Sequence, residues 1–223
     1  MQVSAGCAAV RTLTAEMALS GRAGRQRLRG RVLAGFARPA SMRLEGVAPF
    51  GSPAFILVGR AGEGTLLLPR DDRVLRGAKP EDILGALAGV ALGPADLEAI
   101  LTGCVVPAPQ AMGGRRHANG WASIDLAGGT TLFLQPAAGG MWTLRAARRA
   151  GWQIEYPAWT GGFPQSVRLQ SDQAAVMVDL TVALSQIETN KDLEDAAFTV
   201  NVPGDADPIT LDELRESGPL GAK

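Results

Sequence analysis

Residues 79–104 read KPEDILGALAGVALGPADLEAILTGC, and this stretch decides the expected fold. It is the only long segment with helical spacing in a chain that otherwise alternates like strands. Ile83, Leu84, Leu87 and Ala88 fall on one helical face, and Leu97, Ile100 and Leu101 do the same after a break. Pro80 and Pro94 suit a first helical turn, and Gly103 suits a C-terminal cap. Asp96 and Glu98 are expected in the first turn of the second helix, where the dipole favours anions. The spacing predicts two short apolar helices set into a β-protein. Such a pair must bury its apolar face against a sheet. The functional question is whether that leaves a filled core or a cavity.

Upstream of this stretch the period is two. Leu13, Ala15, Met17 and Leu19 face one way in Thr12 to Ser20, with Thr12, Thr14, Glu16 and Ser20 opposite. After the turn at Gly21 to Gly24, Leu28, Gly30, Val32, Ala34 and Phe36 form an inner face, and Arg27, Arg29 and Arg31 an outer one. Ser41 to Val47, Ala54 to Val58, Thr65 to Leu68 and Val74 to Arg76 follow as strands, parted by turns such as Pro49-Phe50-Gly51-Ser52-Pro53. Downstream, Pro107 to Gly114 reads as a linker. Strands then resume at Arg116 to Asp125, Thr131 to Gln135, Trp142 to Arg148, Trp152 to Tyr156, Ser166 to Gln170 and Val176 to Ile187. Glycine turns separate them, which suits antiparallel neighbours. The expected fold class is α+β, mostly β. It is a large curved antiparallel sheet, an incomplete β-barrel of about eleven strands in sequential order, with the short helices in its concave face. The tail from Asn190 to Lys223 is acidic and holds one weak helix, Leu211 to Arg215.

The chain has 223 residues, 46% of them hydrophobic, which bounds it to one folded domain over 1–223 and argues against disorder. Its formal charge is zero, but the balance hides an asymmetry. Residues 1–43 carry Arg11, Arg22, Arg25, Arg27, Arg29, Arg31, Arg38 and Arg43 against Glu16 alone, whereas residues 172–223 carry eleven acids and three basic residues. Either the two surfaces attract each other within the fold, or the arginines form a patch for an anionic partner such as lipid headgroups or nucleic acid. No apolar run approaches the ~20 residues of a membrane-spanning helix. The start, MQVSAGC, has no charged or apolar leader region, so the expectation is a chain cut or begun downstream of its natural start. Cys7 and Cys104 belong to no CxxC pair, so no zinc site is expected. Three readings of them compete. They are a disulfide across a long loop, two buried thiols, or, for Cys7 after Ala5-Gly6, a lipid acceptor.

Several short motifs carry a resemblance. They are Leu13-Thr14-Ala15-Glu16 leading into Gly21, Arg38-Pro39-Ala40-Ser41-Met42-Arg43-Leu44-Glu45, Pro49-Phe50-Gly51, and Leu92-Gly93-Pro94-Ala95-Asp96-Leu97 ahead of Leu101-Thr102-Gly103. Glu188-Thr189-Asn190, Ala197-Phe198 and Val202-Pro203 add to them. Over nearly the whole chain this pattern resembles the periplasmic lipoprotein carriers LolA and LolB and their relatives. The resemblance implies an incomplete β-barrel whose mouth is closed by helices. It implies a monomer of the bacterial envelope, periplasmic or anchored to the outer membrane, that holds acyl chains of a lipid or lipoprotein. Another envelope protein is a second implied partner. The cavity is then expected to be lined by Phe36, Met42, Leu44, Phe55, Leu57, Leu66, Leu84, Leu87 and Leu101. An oxidising periplasm, together with the position of Cys104 just past Gly103, makes a Cys7–Cys104 disulfide the expected pairing. Two departures stand out. Ala5 to Arg11 takes the place of the family's N-terminal helix. The protruding apolar loop of LolB-like proteins has only Phe50 as a counterpart, and a lone aromatic at such a turn is expected in the core.

Chemistry finds little footing. His117, the only histidine, follows Arg115 and Arg116 at a strand start, and no GxSxG elbow accompanies it. Asp71-Asp72, Glu81-Asp82 and Asp192-Glu194-Asp195 lie where turns or helix starts account for them. No P-loop or GxGxxG follows a strand. Trp121, Trp142, Trp152, Trp159 and Tyr156 suit cross-strand packing as well as ligand stacking. The expectation is a protein without catalytic residues, metal or cofactor. Its rivals are an envelope module whose barrel is filled by its own side chains, and a nucleic-acid binder using Arg25 to Arg31, whose binding would weaken steeply with salt.

Overall fold

The computed structural model describes residues 7, 9–104, 109–171 and 177–217. The expected helix remnant at Ala5 to Arg11 and the first residue of the last predicted long strand, Val176, fall partly or wholly outside them. Six strands precede the helices: β1 (Thr12–Ala23), β2 (Gln26–Ala37), β3 (Ser41–Val47), β4 (Ile56–Arg60), β5 (Glu63–Leu68) and β6 (Arg73–Ala78). Then come α1 (Pro80–Ala88) and α2 (Pro94–Thr102). Seven strands follow: β7 (Ala111–Arg116), β8 (Ala122–Leu126), β9 (Thr130–Pro136), β10 (Trp142–Arg149), β11 (Trp152–Thr160), β12 (Phe163–Ser171) and β13 (Val178–Thr189). The tail adds β14 (Asp207–Pro208) and α3 (Leu211–Ser217).

The strands form one open, curved sheet of fourteen, not eleven. Two of the additions carried no readable pattern. β7 lies in the expected linker, and every one of its residues is exposed, as befits the strand at one edge of the sheet. β14 is a two-residue parallel pairing with β6. The expected strand Arg116 to Asp125 is broken by a turn, closed by the His117 amide donating to the Trp121 carbonyl at 2.9 Å.

The strand order also departs from a simple sequence. It runs β14-β6-β5-β4-β3-β2-β1-β13-β12-β11-β10-β9-β8-β7. Two meanders, β1 to β6 and β7 to β13, are joined where β1 pairs with β13. The chain therefore leaves the first meander at one side of the sheet and enters the second at the far side. The connection carrying α1 and α2 must cross the sheet to get there, and it crosses on the apolar face.

That face follows from alternation. In β2, Leu28, Val32, Ala34 and Phe36 are buried, while Arg27, Arg29 and Arg31 are exposed. The inward residues of both meanders merge with those of α1 and α2 into one core. The acidic tail is held against the sheet by three buried residues, Phe198, Ile209 and Leu214, while most of its other described residues are exposed. Phe198 is buried on the outer face, where the Arg43 guanidinium donates to the carbonyls of Ala197 (3.2 Å) and Thr199 (2.7 Å). The tail then rounds the β6 edge, where the Ile209 amide donates to the Val74 carbonyl at 2.8 Å, and α3 settles against α1.

Cys7 and Cys104 are joined by a disulfide, with Cα atoms 6.1 Å apart and 97 positions between them in sequence. Closing so long a loop restricts the unfolded chain, by about 4–5 kcal/mol at most in the loop-entropy model. Urea unfolding with and without reductant should show a lower midpoint for the reduced protein. A Cys7→Ala/Cys104→Ala variant should match the reduced protein and ignore reductant. Equal midpoints throughout would mean that the bond adds nothing to folding.

Candidate functional site

The site is built where α1 and α2 meet the inner face. α1 begins with Pro80 at its first turn and ends at Gly89, whose φ of 72° is the left-handed cap conformation. It buries Ile83, Leu84, Ala86 and Leu87. Two glycines let it sit close to the sheet. A Cβ on Gly59 would lie 2.8 Å from the Pro80 ring, and one on Gly64 would lie 2.7 Å from the Ile83 side chain. α2 ends at Gly103, with φ 67°, and the Trp159 ring fills the space where a Cβ would stand.

The inner face is half filled and half hollow. Under α1 the space is solid: Met42, Leu57, Leu66 and Ile83 are each 0% exposed. The rows Leu44–Leu57–Leu66–Leu75 and Met42–Gly59 run across β3 to β6 at this point. Beside this packed half lies a cavity of about 380 Å³. Six of the expected lining residues face it, namely Phe36, Leu44, Phe55, Leu84, Leu87 and Leu101. Met42, Leu57 and Leu66 do not; they belong to the filled half. The cavity wall also includes Met17, Leu28, Gly30 and Val32 from the first hairpin, Ile100 from α2, and Leu169, Leu180 and Val182 from β12 and β13. The alternation of those strands was legible; that they curl round to face α2 was not. A larger hollow of about 630 Å³ on the outer face is an open cleft beneath the tail, lined in part by Glu16, Arg43, Glu45 and Glu188.

One end of the cavity is tied shut. The Arg38 guanidinium donates to Glu98 Oε1 at 3.0 Å and to the Cys7 carbonyl at 3.1 Å. Asp96 accepts from Arg149, and the Thr102 hydroxyl donates back to the Glu98 carbonyl at 2.7 Å. With the disulfide, these bonds fix both ends of α2. Glu98 is thus a buried ion-pair partner rather than the simple dipole partner its position suggested. Burial pushes its carboxyl above the ordinary glutamate range, partly offset by the Arg38 charge and its hydrogen bond.

The other end carries the turns β1–β2, β3–β4 and β5–β6. The β3–β4 loop is pinched at its base, where the Gly46 amide donates to the Phe55 carbonyl (3.0 Å) and the Ala54 amide to the Gly46 carbonyl (2.9 Å). A Cβ on Gly46 would strike the Phe55 ring at 2.5 Å. From this loop Phe50 projects into solvent, 88% exposed, which overturns its expected place in the core. Arg70, on the cavity lining, holds the loop by donating to the Phe50 carbonyl at 2.9 Å.

Two stability measurements test this division. Leu57→Ala, in the solid half, should lose roughly 2–5 kcal/mol. Leu87→Ala, on the cavity wall, should lose clearly less, because fewer atoms pack against its methyls; equal losses would show that the hollow is filled in solution. The second concerns Glu98. A carboxyl whose folded pKa is raised takes up a proton on folding, so its contribution falls as pH rises from its unfolded value through its folded one. The stability of the native protein relative to Glu98→Gln should therefore decline over that range in urea titrations. A rise instead would show that the Arg38 attraction outweighs burial.

No family model and no curated protein matches the chain. Solved structures do. A LolA superfamily protein from Nitrosomonas europaea aligns over 86% of this chain and 91% of its own, with TM-score 0.56 and 10% identity. A DUF1329 family protein from Desulfovibrio piger aligns over 89% and 92%, with TM-score 0.54 and 11% identity. A putative outer membrane lipoprotein-sorting protein domain from Vibrio parahaemolyticus aligns over 88% and 92%, with TM-score 0.54 and 10% identity. Together with the open curved sheet and the helices on its inner face, these likenesses make the fold LolA/LolB-like.

Proposed function

We propose that this protein is a non-catalytic component of the bacterial envelope that holds an acyl chain of a lipid or lipoprotein in the cavity between α1, α2 and the sheet. The observation that carries the reading is the cavity itself, about 380 Å³ with a mostly aliphatic and aromatic wall. That size falls at the lower end of the roughly 300–1,000 Å³ of ligand sites. The LolA-like fold and the disulfide, which suits an oxidising compartment, favour the same reading. Phe50, exposed at the open end, gives the molecule a greasy point of contact for a membrane or for another envelope protein. No helix is long and apolar enough to cross a membrane among the described residues.

A catalytic reading has less to stand on. His117 Nε2 lies 3.1 Å from the Ser123 hydroxyl within the β7–β8 hairpin. Among the described residues no carboxylate is recorded on the ring, and the pair lies outside the cavity lining. The rival reading, a module with a filled core, draws on the solid half under α1.

Gly30 separates the two. It stands on the cavity wall, and a Cβ built there meets no atom within 4 Å. Gly30→Phe should therefore plug the hollow without disturbing the fold. Protein purified from envelope fractions should release an acyl species on solvent extraction, and the stripped protein should take up a fluorescent fatty acid. Gly30→Phe should lose both while keeping its thermal midpoint. Uptake undiminished by that change would move binding elsewhere, and an empty native protein that takes up nothing would leave the filled-core module standing.

A further inference from the structure

The tip of the β1–β2 hairpin breaks an elementary rule of sheet design. Arg22 and Arg27 are direct cross-strand partners, and Arg25 and Arg29 stand within two residues of Arg27. Like charges placed opposite one another destabilise a strand pair. All four are exposed, and none has a carboxylate partner among the described residues. The nearby acids are committed elsewhere. Asp179, opposite Arg22 across β13, accepts from Arg168 at 2.9 and 2.8 Å and also bonds Gln170. Glu16 pairs with Arg31 at 3.2 Å. The acidic tail, the obvious internal counterweight, pairs with Arg60 and Arg73 rather than with this hairpin. Asp71 and Asp72 lie on the β5–β6 turn, beside Arg70.

The position of this cluster gives it meaning. The hairpin bounds the open end of the apolar cavity, whose lining includes Arg29, Arg31 and Arg70. Arg31 is paired with Glu16 and Arg70 bonds the Phe50 loop, so among the described residues the apolar wall meets one unpaired lining cation, Arg29, with Arg22, Arg25 and Arg27 beyond it at the hairpin tip. We infer that the ligand is a single-chain anionic amphiphile: its chain enters the cavity, and its phosphate or carboxylate headgroup is held by the arginines of the β1–β2 hairpin. This rests on the acyl-binding reading above and narrows it. The volume supports a single chain. If a methylene takes about the room of a water molecule, roughly 30 Å³, 380 Å³ holds a chain of about a dozen carbons. Arginine suits the headgroup because its planar fork donates two parallel hydrogen bonds to a carboxylate or phosphate.

The test uses four dodecyl-chain probes below their micelle concentrations, followed by calorimetry at low and high salt. They are laurate, dodecyl phosphate, neutral monolauroylglycerol and cationic dodecyltrimethylammonium. Native protein should prefer an anionic probe over the neutral one by roughly tenfold, the sum of several exposed ion pairs, and salt should erode that preference. Arg22→Gln/Arg25→Gln/Arg27→Gln, none of which lines the cavity, should cut the preference severalfold and leave neutral binding intact. A stronger response to dodecyl phosphate points to a single-chain phospholipid (a lysophospholipid) as the source, and one to laurate points to a free fatty acid. Equal affinity for all four probes would overturn the headgroup assignment and spare the acyl-binding reading. No binding of any probe would remove both. If the triple variant binds monomeric probes normally but loses affinity for anionic vesicles, the arginines dock the protein on a membrane surface, and the headgroup assignment falls.

Discussion

The structure depends on one constraint: a fourteen-stranded sheet, antiparallel except at β14, that does not close has an apolar face to cover. The pairing of β1 with β13 turns this constraint into a topology. It places the two ends of the helical connection at opposite sides of the sheet, so α1 and α2 lie across the concavity. Two helices of nine residues each cover part of that face and leave part of it open. The molecule is therefore neither a filled sandwich nor an empty barrel. It is packed beneath α1 and hollow beside it.

Side-chain size decides which half is which. Under α1, the glycines at 59 and 64 bring the helix down onto Leu57 and Leu66, and no room remains. On the hollow side, Gly30 faces open space between Leu28 and Val32, so the wall stands back from the helices. Removing a side chain thus has opposite effects in the two halves. Where a helix needs to approach, glycine closes the gap. Where nothing approaches, glycine leaves a void.

Much of this was legible before the coordinates. Period-two alternation marked the inner faces of β1, β2, β3 and β13, and Pro80, Pro94 and Gly103 marked the helix boundaries. The remainder failed for physical reasons. β7 has no inner face to alternate, since an edge strand with both sides wet carries no burial signal. β14 owes its pairing to the tail wrapping the sheet edge, a long-range event no local pattern records. Six of nine expected wall residues reached the cavity, because alternation tells which face a residue occupies. It does not tell how close a helix comes to that face. Met42, Leu57 and Leu66 lie instead where α1 comes down onto the sheet. Phe50 failed because an aromatic at a proline-glycine turn looks the same in sequence whether its loop folds inward or, as here, is pinched at the base and held outward by Arg70.

The distribution of bonds around the cavity is asymmetric, and the asymmetry determines the way in. α2 is anchored by the disulfide beyond its C-terminus, by the buried Arg38–Glu98 pair at its middle and by Arg149 at its first turn. Lifting it would break the Arg38–Glu98 pair and pull against a covalent link at once. α1 is braced from outside by α3 and from below by Ile83 against the sheet. Neither helix is built to act as a door. Among the described residues the opposite end is bounded by turns, with a loop held through two carbonyl contacts from one arginine and a hairpin whose charges repel. Surface turns of this kind open at far lower free energy than a packed core. On the acyl-binding reading proposed above, the chain would enter between the Phe50 loop and the arginine hairpin, meeting grease on one side and positive charge on the other.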